Sequence, residues 1–118
     1  MSIDALIIGG GPAGIITALT AKSVYPKKKV CMVKEIGDGV IPCAIPYMIN
    51  TLSDPDQNKM GNLPLENAGV EIIVGKAVAM DTKAKTVTLE SGETLNYVSI
   101  VLATGTDSIL PPIEGIDK

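Results

Sequence analysis

The stretch Gly9-Gly10-Gly11-Pro12-Ala13-Gly14 constrains this chain more than any other. It follows a short apolar run, Ile3 to Ile8, and opens a helix-like apolar run, Ile15 to Ala21. The order is strand, glycine turn, helix, and the frame Gly9-x-Gly11-x-x-Gly14 is that of a dinucleotide-binding fingerprint. Each glycine answers a separate need. Gly9 turns the chain sharply off the strand. Gly11 lets a pyrophosphate approach the backbone, and Gly14 lets the helix pack tightly on the strand. The first unpaired N–H groups of the helix, and the positive end of its dipole, then face the phosphates. Pro12 suits an early helical position because no N–H is needed there. The bland alternative is a structural turn after a buried strand. Glu35 argues against it, because an acidic residue is expected ~20 residues past the fingerprint, where it can bind a ribose.

The rest of the chain reads as α/β, a Rossmann-like domain. A helix is expected over Pro12 to Val24, stopped by Tyr25-Pro26. A second strand, Val30 to Val33, completes a βαβ unit. Lys34 separates its apolar residues from Glu35, so either the strand runs one residue further or the ribose contact is shifted. Glu35 to Pro46 reads as a Gly- and Pro-containing loop at the carboxyl end of the second strand, where open α/β sheets bind ligands. Cys43 lies in it, and a short helix is expected over Ile45 to Leu52. Asp56 to Leu63 reads as irregular, and Pro64 to Ala68 as a short helix ended by Gly69. Val70 to Val74 is expected to extend the parallel sheet. Lys76 to Met80, Thr86 to Leu89 and Thr94 to Tyr97 form an inserted antiparallel β-meander, with turns at Asp81 to Lys85 and Ser91-Gly92-Glu93. Ser99 to Ala103 is a last buried strand, leading into Thr104-Gly105.

Composition narrows the chemistry. The 118 residues make one domain, whose core must be aliphatic because there is no Phe and no Trp. The net charge of -3 and the lack of a basic face exclude nucleic acid as an expected partner. No apolar run reaches the ~18 residues of a membrane span. The start of the chain lacks a basic secretory leader, which points to the cytoplasm. With no histidine, the usual general base is missing, and no metal site is expected. Two cysteines do not make a disulfide framework.

Four motifs stand in one order: the glycine fingerprint, the acidic residue after the second strand, Pro42-Cys43-Ala44-Ile45-Pro46-Tyr47, and Leu102-Ala103-Thr104-Gly105 followed by Leu110-Pro111-Pro112-Ile113-Glu114-Gly115. Together they resemble the FAD-binding part of the flavin-dependent pyridine nucleotide–disulfide oxidoreductases. The cysteine motif is most similar to the single-cysteine branch of coenzyme A disulfide reductases, NADH oxidases and NADH peroxidases. The resemblance implies that Gly9, Gly11, Pro12, Ala13 and Gly14 cradle the FAD pyrophosphate. It also implies that Glu35 binds the adenosine ribose, that Ala103, Thr104 and Gly105 lie on the flavin side, and that Cys43 is the redox thiol. NADH or NADPH is the implied co-substrate, and a small-molecule disulfide, peroxide or oxygen the acceptor, with coenzyme A as a mixed-disulfide partner. The family's NAD-binding and dimerisation domains are absent from residues 1–118, which read as the FAD-binding domain of a longer, homodimeric protein, with a naturally short chain as the alternative.

Cys31 sits in a strand and is no expected partner for Cys43, so the implied chemistry uses a single thiol. Thiolate activation by a helix beginning near Ile45 is one source of reactivity, and Tyr47 could hydrogen-bond in the pocket. Two other readings compete. One is a simple NAD(P)-binding domain, against which the Ala-Thr-Gly motif and the meander argue. The other is a non-catalytic FAD-binding redox module.

Overall fold

A computed structural model describes residues 2–107 and 109–116; Ser108, in the segment expected to follow the Ala-Thr-Gly motif, lies outside the described residues. The chain runs β1 (Ile3–Ile8), α1 (Pro12–Val24), β2 (Val30–Lys34), β3 (Gly39–Val40), a 3-10 helix over Pro42–Met48, a second over Pro55–Asn58, β4 (Lys59–Met60), α2 (Leu63–Asn67), β5 (Glu71–Val74), β6 (Ala77–Asp81), β7 (Thr86–Leu89) and β8 (Thr94–Leu102). Six strands form one sheet in the order β5-β2-β1-β8-β7-β6, and β3 pairs with β4 apart from it. The strands β5, β2, β1 and the later part of β8 are parallel. The strands β6, β7 and the start of β8 are antiparallel. The expected Rossmann-like sheet with an inserted meander is therefore what forms.

Strands β1 and β2 are covered on both faces, which is why they are almost continuously apolar. Side chains on a strand alternate between faces, and β2 divides accordingly. Val30 and Met32 pack with Ile7, Ala18, Leu65 and Val70 under the two helices. Cys31 and Val33 pack with Leu6, Ile8, Val87, Leu89, Leu95 and Tyr97 toward the meander. Each such large aliphatic side chain contributes about 1.5–3 kcal/mol by leaving water, so a core without Phe or Trp closes on aliphatic volume plus one tyrosine.

Polar contacts fix the βαβ crossover. Tyr25 donates its N–H to Ala21 at 2.8 Å and ends α1 ahead of Pro26. Lys22, in the last turn, donates to the Pro26 and Lys28 carbonyls, each at 3.0 Å, where a cation also complements the helix dipole. Asp4 on β1 accepts from Lys28 Nζ at 2.9 Å and from the Lys29 N–H at 2.8 Å, clipping the turn that leads into β2 to β1. These two hydrogen bonds hold its carboxyl below the usual range.

Three segments differ from the sequence reading. Thr94 to Tyr97 and Ser99 to Ala103 are not two strands but one, nine residues long. Its first part pairs with β7, Leu95 opposite Val87. From Tyr97, opposite Ile3, to Leu102, opposite Ile8, it pairs with β1. The strand changes partners without breaking because Leu95 and Tyr97 stay in the same core throughout. Asp56 to Leu63 is not irregular: it holds a 3-10 turn capped by Asp54, which accepts from the Asp56 N–H at 2.9 Å, then the strand β4. The third difference concerns Cys43, which lies inside a 3-10 helix rather than in a loop before a helix starting near Ile45. Among the described residues no helix is long and apolar enough to cross a membrane.

Cys31 is fully buried, and burial, reinforced by the Glu71 carboxylate, pushes its thiol up to about 12. The unfolded thiol releases its proton near 9.0, so between the two values the folded chain holds more protons and stability falls as pH rises. Urea midpoints measured from pH 8 to 11 are expected to drop more steeply in the parent protein than in Cys31→Ala. Equal slopes would show that this thiol contributes nothing to alkaline instability.

Candidate functional site

The carboxyl ends of β1 and β2, the glycine turn and the β3–β4 pair enclose a cleft of about 390 Å³. Its walls include Gly9, Gly10 and Gly11 from the turn, Lys34 and Glu35 from the end of β2, Val40 and Met60 from the small pair, and Thr104 beyond β8. This is the crevice outside the strand ends where ligands of open α/β sheets bind.

The three fingerprint glycines prove unequal. Gly9 has φ +118°, and a Cβ there would collide with the Ala103 carbonyl. Gly14 is buried in α1, and a Cβ there would collide with the Gly9 carbonyl. Both glycines therefore serve close backbone packing among β1, α1 and the end of β8. Gly11 is different. It is the N-cap of α1, with an extended φ of -77°, and a Cβ added to it would meet nothing within 4 Å. The space in front of it is open.

That opening faces a helix end whose donors are free. No side chain caps α1, and its first turn carries no acidic residue. Pro12 lacks an N–H, and the first intrahelical bond to Gly11 comes from Ile15 at 3.0 Å. The N–H groups of Ala13 and Gly14 are thus left for a ligand or water, as at any uncapped helix start. An anion is the chemistry that such a terminus attracts.

The structure gathers Gly9, Gly11, Glu35 and Thr104 around one cleft. Pro12 and Ala13 are exposed in the first turn beside Gly11. Ala103 is half-buried behind Gly9, packed toward the helices, so its part is to seat the turn. Gly105 follows Thr104 with φ +71° and does not line the cleft. Strand β2 does run one residue beyond Val33: Lys34 pairs with Val74, and the exposed Glu35 comes directly after. Cys43 is exposed, three residues past Val40, and is not part of the cleft wall. Tyr47, on the same 3-10 helix, is exposed rather than packed.

Lys34, read from the sequence only as the residue separating Val33 from Glu35, has a structural part of its own. It is buried at the end of β2, and its ammonium donates to Asn62 Oδ1 at the N-cap of α2. Its stem lies where a Cβ on Gly10 would come within 2.8 Å. Lys34 therefore fixes the end of β2 against both the glycine turn and α2. A lysine ending an otherwise apolar buried strand was the available signal, since unpaired lysines are rarely buried.

A family model described as pyridine nucleotide-disulphide oxidoreductase matches residues 3–118. The chain is 32% identical to an NADH oxidase of Methanocaldococcus jannaschii, over 96% of this chain and 27% of that protein. It is 31% identical to an NAD(P)H coenzyme A polysulfide/persulfide reductase of Pyrococcus horikoshii, over 99% of this chain and 27% of that protein. Among solved structures, the sulfide:quinone oxidoreductase of Aquifex aeolicus superposes with a TM-score of 0.82 at 28% identity, over 92% of this chain and 25% of that one. The chain thus spans about a quarter of the length of these relatives.

The contrast among glycines predicts two phenotypes. Gly14→Ala should lower stability by roughly 1–3 kcal/mol or more through overpacking, read as a fall in the thermal midpoint. Gly11→Ala should leave that midpoint unchanged, because its methyl enters open space, yet weaken binding of a pyrophosphate-bearing cofactor measured by titration. Equal effects of the two substitutions on the thermal midpoint would refute the division.

Proposed function

The chain belongs to the pyridine nucleotide-disulphide oxidoreductase family, and from that premise we propose that it is the FAD-binding portion of an NADH- or NADPH-dependent flavoprotein. The open backbone at Gly11 carries this reading, because a phosphate needs the space a side chain would take and the N–H groups that α1 leaves free. The residues present fit such a cofactor. Gly11, Ala13 and Gly14 offer backbone donors to the pyrophosphate. Glu35, exposed at the cleft wall directly after β2, offers a carboxylate to ribose hydroxyls. Thr104 brings a hydroxyl to the same cleft from the far strand. When bound, FAD supplies the two-electron chemistry that links a nicotinamide nucleotide to an acceptor.

The chain's own reactive group in this proposal is Cys43. Its thiolate attacks one sulfur of a small disulfide or persulfide; that S–S bond breaks, the second sulfur leaves as thiolate, and a mixed disulfide with Cys43 remains. Two electrons, drawn ultimately from NAD(P)H, and one proton then release the bound half as a thiol and restore the Cys43 thiolate. With peroxide as acceptor, Cys43 becomes a sulfenic acid and water or alcohol leaves. Coenzyme A is the proposed thiol partner, and the whole protein is proposed to be a cytoplasmic homodimer whose nicotinamide-binding portion lies outside these 118 residues. The names of two relatives, an NADH oxidase and a coenzyme A polysulfide/persulfide reductase, support oxygen and sulfur acceptors alike.

One observation favours a second reading, a flavin-binding module without thiol chemistry: Cys43 stands outside the cleft wall. The two separate cleanly. The purified protein, with its partner domains, should show flavin absorption near ~450 nm. Cys43→Ser should keep that band while NAD(P)H-driven reduction of coenzyme A disulfide or persulfide falls to background. A protein with no flavin band rejects the cofactor assignment; undiminished reduction by Cys43→Ser rejects the thiol.

A further inference from the structure

The segment bearing Cys43 is an odd one to be ordered. It is a seven-residue 3-10 helix with Pro46 inside it and no buried residue of its own. Runs of this geometry beyond 3–4 residues are uncommon, because their hydrogen bonds are poorly aligned. A proline removes one N–H more. Order here needs a fixed point elsewhere.

Asn58 is that point. It ends the second 3-10 helix and is only 1% exposed. Its Nδ2 donates to the Ile41 carbonyl at 3.2 Å and to Met48 Sδ at 3.0 Å. Ile41 is the N-cap of the Cys43 helix and Met48 its last residue. One amide nitrogen therefore ties both ends. The backbone joins in: the Ile41 N–H donates to the Asn58 carbonyl at 3.1 Å, and the Ala44 N–H donates to the Ile41 carbonyl at 3.0 Å. Cys43 sits between these two anchored residues, two positions after Ile41.

The other half of the amide gains nothing. Among the described residues, Asn58 Oδ1 is the buried side-chain polar atom without a hydrogen-bond partner. Leaving such an acceptor unpaired is destabilising, and an apolar side chain of the same size would avoid it. The two donor contacts are what set an amide apart from that apolar side chain here. The carbonyl at Ile41 also fixes the amide's orientation, since only the nitrogen can serve it.

We infer that Asn58 is a positioning residue for Cys43, holding the 3-10 helix so that the thiol keeps one placement relative to the cofactor cleft. Its importance for turnover rests on the proposed role of Cys43; its control of the segment does not. Two variants of the full-length protein test it. Asn58→Leu keeps the volume and removes both donors. Asn58→Asp keeps the shape and has a donor only while its carboxyl is protonated. The measurement is the rate at which iodoacetamide alkylates Cys43, followed by mass on the Cys43 peptide so that Cys31 does not contribute, and expressed as a ratio to the parent at each pH.

In Asn58→Leu the ratio should depart from unity by about threefold or more at every pH, the equivalent of one ordinary hydrogen bond. In Asn58→Asp it should lie closest to unity at low pH, where the single O–H can serve the Ile41 carbonyl, and move toward the leucine value as the carboxyl ionises. A side chain that merely fills space would give a flat ratio in Asn58→Asp, and that result overturns the inference even if Asn58→Leu fails to fold. If the ratio does change with pH while Cys43→Ser reduces disulfide undiminished, Asn58 positions the segment and only the redox reading falls.

Discussion

Everything in this fold turns on how closely three backbone segments approach one another at the end of the sheet. Gly14 lies against the Gly9 carbonyl, and Gly9 against the carbonyl of Ala103. Any Cβ at either glycine would prise α1 from β1, or β1 from the end of β8. The contact is steric rather than attractive; its benefit is what it permits elsewhere. With α1 this close, Ala18 packs fully buried against Ile7 and Met32. With β8 this close, the Ala103 N–H reaches the Ile8 carbonyl at 2.8 Å and extends the parallel pairing past the formal end of the strand. The cleft exists because the same turn, having brought these elements together, must then leave Gly11 facing outward.

The meander is coupled to that junction through β8. A strand that is antiparallel to β7 at Leu95 and parallel to β1 at Leu102 transmits the placement of one face of the domain to the other. Tyr97 stands at the exchange, buried, with its N–H donating to the Lys85 carbonyl at 3.1 Å as β8 leaves β7. The meander therefore does more than cover apolar surface. It packs Val87 and Leu89 into one core with Leu6 and Cys31, and β8 runs from that core to Thr104 at the cleft.

The sequence made the parallel half of this fold plain and the small parts obscure. The limits of β1 and α1 followed from the apolar run, the glycine turn and Tyr25-Pro26, because local geometry decides them. The continuity of β8 was hidden, since nothing local shows that a strand will exchange partners midway; Leu95 and Tyr97 reveal it only once the core they share is known. The pairing of β3 with β4 was equally hidden, because two residues from each side carry no periodicity. Among the candidate site residues, Gly11, Glu35 and Thr104 line one cleft. The burial of Lys34 and of Asn58 was not legible, because a buried polar side chain is defined by what surrounds it, and that is a tertiary fact.

The domain thus separates two kinds of precision. At the glycine turn, rigidity comes from the absence of side chains, and position is enforced by backbone contacts that tolerate no added atom. At the 3-10 helix, which has neither a buried face nor an unbroken ladder of hydrogen bonds, one buried side chain and a few backbone hydrogen bonds tie the ends. A steric constraint of the first kind is all-or-none, whereas a hydrogen-bonded clamp of the second kind is worth about 0.5–1.5 kcal/mol per contact. That difference suits the two tasks proposed for these segments. A cofactor held by its pyrophosphate requires a cradle that does not give. In the thiol chemistry proposed for Cys43, a sulfur that attacks and then has its mixed disulfide reduced requires a segment held firmly enough to return to one place, yet free to shift while a second molecule is attached to it.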